Sequence, residues 1–308
     1  MKGYKAFEPG MICRGKQYAE NTTFEENEAV VCSRGMHFCK NPFDVLDYYN
    51  LVNDKCEFNE FAEVEALADT KTDDDKKYCT TKLKIGAKLS FPGFVKACVS
   101  FVMEKTTVNG SSWNYAKIGS SGDYAKIGSS GDCAQIGSSG NSAQIGSSGY
   151  GAKIGSSGNY AQIGSSGNYA KIGSSGDCAK IGSSGDCAQI GSSGYGAKIG
   201  SSGYGAQIGS SGNSAQIGSS GYGAQIGSSG NYAQIGSSGD DSVICCAGID
   251  SIVKAKKGSW ITLAEWKYDD VKERYVPVCV KTEFVDGERI KEDTFYKIEN
   301  GEFKELEV

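Results

Sequence analysis

The side chains that could perform acid–base or nucleophilic chemistry are few and lie near the start of the 308-residue chain. His37 is the sole histidine and stands in an apolar stretch. A histidine in that setting is more often structural than a general base or a metal ligand. Arg14 and Ser33 precede it, and Glu63 and Glu65 follow at a spacing that puts both carboxylates on one face of a strand. These five residues are the candidates for catalysis.

The order of the five residues resembles that of ADP-ribosyltransferases, which share an early Arg or His, a Gly–aromatic segment followed by a helix with Tyr, and a late Glu. Arg14, Ser33, the segment 35–48 and the two glutamates follow in that order. The resemblance implies an ADP-ribosyltransferase-like enzyme in the N-terminal domain. The competing interpretation is an exposed strand face, in which the glutamates pair with Lys82 and Lys84 across the sheet. Because the motif is short, we expect a non-catalytic protein and keep the transferase as an alternative.

Composition narrows the possible partners. The net charge is −5, and residues 110–241 carry six lysines and six aspartates, so direct nucleic-acid binding is not expected. No 18-residue apolar stretch and no apolar signal core occur, so we expect no membrane span and a cytoplasmic location in a bacterial host cell. The twelve cysteines are expected to be reduced thiols. They form no Cys-Xaa-Xaa-Cys pair, so we expect neither a metal nor a cofactor.

A strict nonapeptide repeat fills residues 115–240 and dominates the chain. Isoleucine recurs every nine residues from Ile118 to Ile244, and alanine stands two residues before each of the first fourteen. The stretch Xaa-Ala-Lys/Gln-Ile can form a strand with Ala and Ile on one face and Lys or Gln on the other. The remainder, Gly-Ser-Ser-Gly-Asn/Asp, is turn material in which Gly and Asn or Asp accept left-handed conformations. A flexible linker would have no reason to keep Ala and Ile in phase.

The repeat predicts a mainly β protein built around a β-solenoid. Nine residues are too few for a coil with two strands and two turns, so we expect eighteen per coil. Fourteen repeats then give about seven coils and a rod of about 34 Å. A calcium-binding roll is not expected, because Asn or Tyr often replaces the carboxylate that such a site needs.

The positions at which repeats differ are the candidate binding residues. Where Tyr takes the turn position, Gly follows it, as in Tyr150-Gly151, which indicates a local backbone exchange. Exposed tyrosines and lysines on a rigid rod could contact a partner. The candidates are Tyr150, Tyr160, Tyr169, Tyr195, Tyr204, Tyr222, Lys153, Lys171, Lys180 and Lys198. A surface- or ice-binding solenoid is a further alternative. It is disfavoured because serine hydroxyls are expected in the turns and Lys and Gln on the flat face.

The flanks divide the chain into an α+β domain at 1–109, the solenoid with degenerate capping repeats at 110–257, and an antiparallel β-meander at 258–308. In the first domain, strands are predicted at 3–7, 12–18, 30–32, 36–39, 58–67 and 78–89, with helices at 42–49 and 91–105. We expect Asn41 to cap the first helix and Ser90 the second. The second helix is expected to seal the open end of the solenoid. Asp286-Gly287 and Asn300-Gly301 predict hairpin turns in the meander.

The meander predicts self-association. Its aromatic residues Trp260, Trp266, Tyr268 and Phe295 look exposed, and the segment is too short to bury them alone. A homodimer through these ends would cover them. The alternative is that each meander folds back on its own rod as a cap.

The chain as a whole resembles a family of uncharacterised proteins of phages and prophages of Gram-positive bacteria. The resemblance lies in the Ile-Gly-Ser-Ser-Gly repeats and in the segments Lys2–Phe7, Cys13–Tyr18, Gly35–Cys39 with Pro42, Gly258–Trp266 and Asp286–Lys291. It implies a phage-type origin and carries no settled activity. We therefore expect a rigid binding or scaffold module that inhibits or sequesters a host defence factor.

Overall fold

The computed structural model describes residues 1–53, 57–104 and 112–306. A β-solenoid forms the long middle of the molecule, as the repeat predicts, with a sheet-containing domain before it and antiparallel strands after it. The predicted domain boundary at residue 109 and the predicted helix end at residue 105 lie outside the described residues.

The N-terminal domain is built on a seven-stranded sheet in the order β4-β9-β6-β1-β5-β8-β7. Its core is formed by the inward residues of these strands, among them Phe7, Leu83 and Ile85, all with 0% exposure. The strands are β1 (Lys2–Phe7), β2 (Ile12–Cys13), β3 (Lys16–Gln17), β4 (Thr23–Glu25), β5 (Met36–Cys39), β6 (Glu60–Ala66), β7 (Thr70–Thr72), β8 (Lys77–Thr80) and β9 (Lys82–Leu89). The short strands β2 and β3 form a separate two-stranded sheet.

Four predictions in this domain need correction. The strand predicted at 78–89 is two strands, because β8 pairs with β5 and β7 whereas β9 pairs with β4 and β6. The strand predicted at 12–18 is the β2–β3 hairpin, because Arg14 and Gly15 adopt positive φ and turn the chain. The segment 30–32 makes only an isolated bridge between Val30 and Arg34. The helix after Asn41 is a 3₁₀ helix, Pro42–Asp47, and the Asn41 side chain caps it by accepting from the Phe43 N–H at 3.1 Å.

The solenoid consists of sixteen four-residue strands in two parallel sheets. Each strand from the first (Lys117–Ser120) to the fourteenth (Gln234–Ser237) pairs in register with the strand eighteen residues later, as Ile154 does with Ile172, which confirms two repeats per coil. The strands are β10 (Lys117–Ser120), β11 (Lys126–Ser129), β12 (Gln135–Ser138), β13 (Gln144–Ser147), β14 (Lys153–Ser156), β15 (Gln162–Ser165), β16 (Lys171–Ser174), β17 (Lys180–Ser183), β18 (Gln189–Ser192), β19 (Lys198–Ser201), β20 (Gln207–Ser210), β21 (Gln216–Ser219), β22 (Gln225–Ser228), β23 (Gln234–Ser237), β24 (Val243–Cys246) and β25 (Ile252–Ala255). Even-numbered strands form one sheet and odd-numbered strands the other.

The four strand residues of each repeat alternate between the outside and the inside of the rod. Ile172 and Ser174 point into the rod, whereas Lys171 and Gly173 point outward. The inward Ile and Ala columns form the continuous core, as predicted. The first serine of each pair does not lie in a turn, which corrects that prediction. It closes the strand, and its hydroxyl points inward because alternation puts it on the same face as Ile.

The turns use glycine differently from the prediction. The left-handed residue is the one after Asn or Asp, such as Tyr160 at φ +58°, or the glycine that follows Tyr, such as Gly151 at φ +63°. The second repeat glycine is required for another reason, since a Cβ at Gly158 would lie 2.0 Å from the carbonyl oxygen of Gly140. Stacking is reinforced by the turn side chains, because Asn159 Oδ1 accepts the Asp177 N–H of the next coil at 2.8 Å.

Helix α1 (Phe91–Glu104) was predicted to seal the end of the rod, and this prediction is wrong. It lies on the flank, against strands β11, β13, β15 and β17 of the odd-numbered sheet. The outward glycines of that sheet leave a flat surface, so Val95 and Val99 can pack directly onto the strands. Ser90 caps the helix as predicted, with its Oγ accepting the Gly93 N–H at 3.2 Å.

The C-terminal segment is two hairpins, one continuing each sheet of the solenoid, and so is not a single meander. Strand β26 (Trp260–Asp269) adds to β24 and pairs with β27 (Arg274–Phe284). Strand β28 (Phe295–Glu299) adds to β25 and pairs with β29 (Glu302–Leu306). Asn300-Gly301 is the predicted hairpin turn, with φ of +53° and +74°. Asp286-Gly287 instead lies in a loop between β27 and β28, which are not neighbours in either sheet.

Candidate functional site

The two flat sides of the solenoid have the same repeat sequence but different surroundings. We call the outward side of the odd-numbered sheet, strands β11 to β25, the covered face. The outward side of the even-numbered sheet, strands β10 to β24, is the open face. Glycines of the covered face lie under the N-terminal domain, and a Cβ at Gly146 would lie 3.1 Å from the Cα of Val99. On the open face, a Cβ at Gly155, Gly173 or Gly191 would meet no atom within 4 Å. The open face is therefore an unfilled copy of a surface that binds a helix elsewhere in the same molecule.

The covered face shows how the repeat binds its neighbour. Its glycines contact an apolar row that continues beyond α1 to the segments around residues 43, 52 and 58. Its Lys and Gln side chains bind acidic and carbonyl groups at the edge of that row. Lys180 Nζ donates to Leu46 O at 2.7 Å and pairs with Asp47 at 3.2 Å. Gln144 accepts a hydrogen bond from Asn41 Nδ2 and donates one to Asp44 Oδ1, and burial raises the pKa of the Asp44 carboxyl.

The open face has the same Lys and Gln row, but the N-terminal domain does not cover it. A shallow groove of about 1470 Å³ follows it from β10 to β24, bordered by the Lys and Gln row and floored by Gly and Ile. Lys153 and Lys171 are exposed and directly paired on neighbouring strands. Neither makes an ion pair within the described parts of the chain. Two like charges at the strand spacing repel each other, so this position favours an acidic partner.

The predicted binding residues do not form one surface. Lys153 and Lys171 lie on the open face, whereas Lys180 and Lys198 lie on the covered face, where Lys180 already binds Asp47. The tyrosines lie along the two turn edges, with exposures of 49–59%. Tyr150, Tyr169, Tyr204 and Tyr222 follow one edge, and Tyr160 and Tyr195 follow the other. Tyr150 and Tyr169 are ring neighbours at 5.2 Å, and Tyr204 stacks on Tyr222 at 5.5 Å.

Of the predicted dimer residues, Phe295 is wrong, because it is 4% exposed and packs into the core beside the N-terminal domain. Trp266 is half-buried and donates from Nε1 to Ala247 O at 2.9 Å. Trp260 and Tyr268 are exposed, at 49% and 53%, and each packs against a ring of β27. The hairpins cover the end of the rod, and the homodimer stays a prediction.

The five candidate catalytic residues fall into two separate groups. Arg14, Ser33 and His37 line a cavity of about 270 Å³ in the N-terminal domain. Glu63 and Glu65 line a different depression with Lys2 and Lys84, among other residues. The transferase-like order in the sequence therefore does not correspond to one constellation in space.

His37 holds a loop in place. Its Nε2 accepts the Cys32 N–H at 3.1 Å, and the ring also makes a hydrogen bond to the Val30 backbone. Burial lowers its pKa, and the nearby positive charges of Lys5, Lys77 and Arg14 lower it further, so the ring is neutral at pH 7. The ring is thus held by the backbone of the loop that contains Val30 and Cys32.

The cavity contains a residue that the sequence reading missed. Lys5 is 6% exposed, and its Nζ donates to His37 O at 3.0 Å and to Cys13 Sγ at 3.3 Å. Cys13 Sγ lies 3.2 Å from Tyr49 Oη. Burial lowers the Lys5 pKa. Strand alternation could have indicated this position, because Lys5 shares its face of β1 with the core residue Phe7.

Residues 1–97 match a family described as a domain of unknown function (DUF7666). No curated protein and no solved structure is detectably similar to the chain. Helices long and apolar enough to cross a membrane do not occur within the described ranges. Among the same residues, no three side chains are grouped so as to hold a metal ion.

Proposed function

We propose that the protein is a non-catalytic binding module whose open face docks an amphipathic α-helix of another protein, with acidic side chains beside the apolar face of that helix. The observation that carries the proposal is the difference between the two solenoid faces. Their repeats are the same, yet the outward glycines are buried on one side and open on the other. Because the N-terminal domain resembles phage proteins, a host factor sequestered by the rod is the expected source of the helix.

The covered face supplies the template for the interaction. Residues of α1 spaced by four, Phe91, Val95 and Val99, contact successive glycines of the odd-numbered sheet. Helical residues four apart lie on one face, so one stripe of the helix meets one row of glycines. The open face repeats this row at the same intervals, because every strand pairs in register with the one above it. A helix with the same stripe therefore fits it.

The charges favour an acidic partner. On the covered face, the Lys and Gln row binds the carboxylates of Asp44 and Asp47. On the open face, Lys153 and Lys171 occupy equivalent outward positions and face solvent. A partner carboxylate placed between them would relieve their repulsion, as Asp47 does for Lys180. This contact would contribute to specificity and to the association rate more than to affinity.

The length of the face limits the size of the partner element. Eight strands, β10 to β24, span about 34 Å at the usual spacing between strands. A helix rises about 1.5 Å per residue, so about 22 residues would follow the whole groove. The four strands touched by α1 show that a shorter helix is sufficient for packing.

A second copy of the chain cannot supply this helix from its native fold. Helix α1 is enclosed by its own domain on one side, where Phe94 stacks on Phe61 at 3.8 Å, and by its own rod on the other. The other helix within the described ranges, the 3₁₀ helix, has six residues and is already bound to the covered face. The occupant is therefore expected to be a different protein.

A designed peptide tests the proposal without knowledge of the natural partner. The peptide carries Phe, Val and Val at four-residue spacing on one helical face and glutamates beside them, and a scrambled peptide of equal composition is the control. Calorimetric titration should give one site per chain, and Gly173→Val should abolish it by filling the groove. Val271 is 95% exposed and lies outside the groove, so Val271→Thr is the matched control and should bind normally. Equal binding of the scrambled peptide, or binding unaffected by Gly173→Val, would overturn the proposal, as would sedimentation showing that a second copy occupies the face.

A further inference from the structure

The cavity of the N-terminal domain has an excess of positive charge. Among the described residues that line it are Lys5, Arg14, Lys16 and Lys77, whereas Glu26 is the one carboxylate in that set. Glu26 is paired with Lys16. No ion pair joins Lys5, Arg14 or Lys77 to any carboxylate in the described ranges of the chain. The side chains of Lys5, Arg14 and Lys77 therefore line a space of about 270 Å³ without an ion-pair partner among the described residues.

The burial of Lys5 makes this excess costly. Lysine is almost never this buried unless it is paired, because an ammonium loses its hydration in the protein interior. Lys5 uses two of its three donors, on His37 O and Cys13 Sγ. A bound anion would supply the missing countercharge and a third acceptor. Arg14 stands exposed at the same cavity, and its planar guanidinium suits bidentate binding of phosphate oxygens.

Aromatic rings line the rest of the cavity. Tyr4, Tyr18, Phe38, Tyr48 and Tyr49 contribute to its walls. Tyr48 is 42% exposed, and Lys77 Nζ lies 4.2 Å from the centre of its ring. This pair places a cation beside a ring on which a planar group can stack. The combination suits a ligand that joins an aromatic ring to an anionic group.

We propose that this cavity binds a nucleotide, with its phosphate held by Lys5, Arg14 and Lys77 and its base stacked against Tyr48. A phosphate monoester carries a charge of about −1.5 to −2 at neutral pH, which the side chains of Lys5, Arg14 and Lys77 can match. At about 270 Å³ the cavity lies just below the range of about 300–1,000 Å³ usual for small-molecule pockets, so a ligand no larger than a mononucleotide is proposed. The inference is independent of the open face, which lies on the other side of the rod.

The cavity and the rod share one structural element. Val45, Tyr48 and Tyr49, in and just after the 3₁₀ helix, line the cavity. Residues of the same helix bind the covered face through Leu46 O and Asp47. The rod therefore fixes one wall of the nucleotide site, which gives the site a rigid side against which a base can stack.

Titration of the full chain with AMP tests the proposal, with adenosine and inorganic phosphate as the two half-ligands. AMP should bind one site with a Kd below about 1 mM, and each half-ligand should bind at least about tenfold more weakly. Arg14→Gln and Tyr48→Ala should each weaken AMP about tenfold or more, and both replace exposed residues. Lys84→Gln, in the separate depression beside Glu65, is the matched control and should bind within about twofold of the wild type.

The outcomes separate the alternatives. GMP, CMP and UMP extend the titration, and saturable binding of any mononucleotide that depends on Arg14 and Tyr48 supports the site. Lys5→Met adds a test of the buried cation, with circular dichroism showing whether the variant is folded. If no mononucleotide binds below about 1 mM, the proposal is wrong. It is equally wrong if phosphate alone binds as tightly as AMP, or if Lys84→Gln weakens binding as much as Arg14→Gln does.

Discussion

Two glycine substitutions at the same repeat position distinguish the two faces of the rod. Gly146 lies on the covered face and Gly173 on the open face, and neither adopts positive φ. A side chain at Gly146 would meet backbone, since its Cβ would lie 3.1 Å from Val99 Cα and 3.4 Å from Val99 O. A side chain at Gly173 would meet nothing within 4 Å. We predict that Gly146→Val displaces α1 and that Gly173→Val does not.

The expected difference follows from these distances. Overpacking against backbone that cannot yield costs about 1–3 kcal/mol. Valine on the open face avoids this cost, and its better strand propensity than glycine, worth up to about 1 kcal/mol, is common to both variants. The loss of glycine flexibility in the unfolded chain is common to both variants and cancels. Strand propensity changes equally in both variants, so they should differ by the overpacking cost alone, about 1–3 kcal/mol, which is about 5- to 150-fold in the equilibrium for opening α1.

Hydrogen exchange measured by mass spectrometry reports this opening directly. Amides of residues 91–102 should exchange about 5- to 150-fold faster in Gly146→Val, while those of the even-numbered strands stay protected. Gly173→Val should leave both sets at wild-type rates. Equal exchange of α1 in the two variants would refute the assignment of the covered and open faces.

Three further predictions concern the rod and its cap. Deleting residues 172–189 should leave a folded rod that is one coil shorter. Deleting only nine residues should move every later repeat to the opposite sheet, so its melting temperature by circular dichroism should fall well below that of the 18-residue deletion. Ser183→Ala removes a buried hydroxyl that has no hydrogen-bond partner among the described residues, so it should be neutral or stabilise the protein by about 1 kcal/mol. Ser242→Ala loses hydrogen bonds to Ser237 and Gly239 and should destabilise the protein by about 1 kcal/mol. Urea unfolding measures both changes. The Gly301 N–H holds the pKa of Glu265 below its usual 4.5, with Lys267 and the Asn300 N–H contributing, so this stabilisation is present above pH 4.5 and is lost as the pH falls through the lowered pKa. Urea midpoints of Glu265→Gln should accordingly fall below wild type near about pH 7 and approach it near about pH 3; equal gaps at both pH values would contradict this.

The sequence was most informative where one physical requirement repeats. The in-phase Ala and Ile columns predicted the solenoid core, and chain geometry alone predicted eighteen residues per coil, since nine cannot hold two strands and two turns. The two C-terminal hairpins were only partly predictable from the sequence. Asn300-Gly301 predicted its turn because both residues tolerate positive φ, but the same chemistry at Asp286-Gly287 joins strands of different sheets.

The position of α1 could not be predicted in the same way. Its apolar stripe indicates that it is buried, and the residues do not say against which surface. The outward glycine of every repeat was the missing signal, because a glycine that faces outward in a strand leaves room for close packing of another element. Lys5 was missed for a related reason. Its charge suggested solvent, whereas its register beside Phe7 placed it in the interior.

The location of the bound helix on the rod is the most direct test of the proposed docking function. Hydrogen exchange is measured on the full chain with and without the designed acidic peptide. The account predicts added protection in β14, β16 and β18, centred on Gly173 and the Lys153–Lys171 pair, with α1 and the odd-numbered strands unchanged. Protection confined to the turn edges or to the C-terminal hairpins, or release of α1 from the covered face, would contradict it.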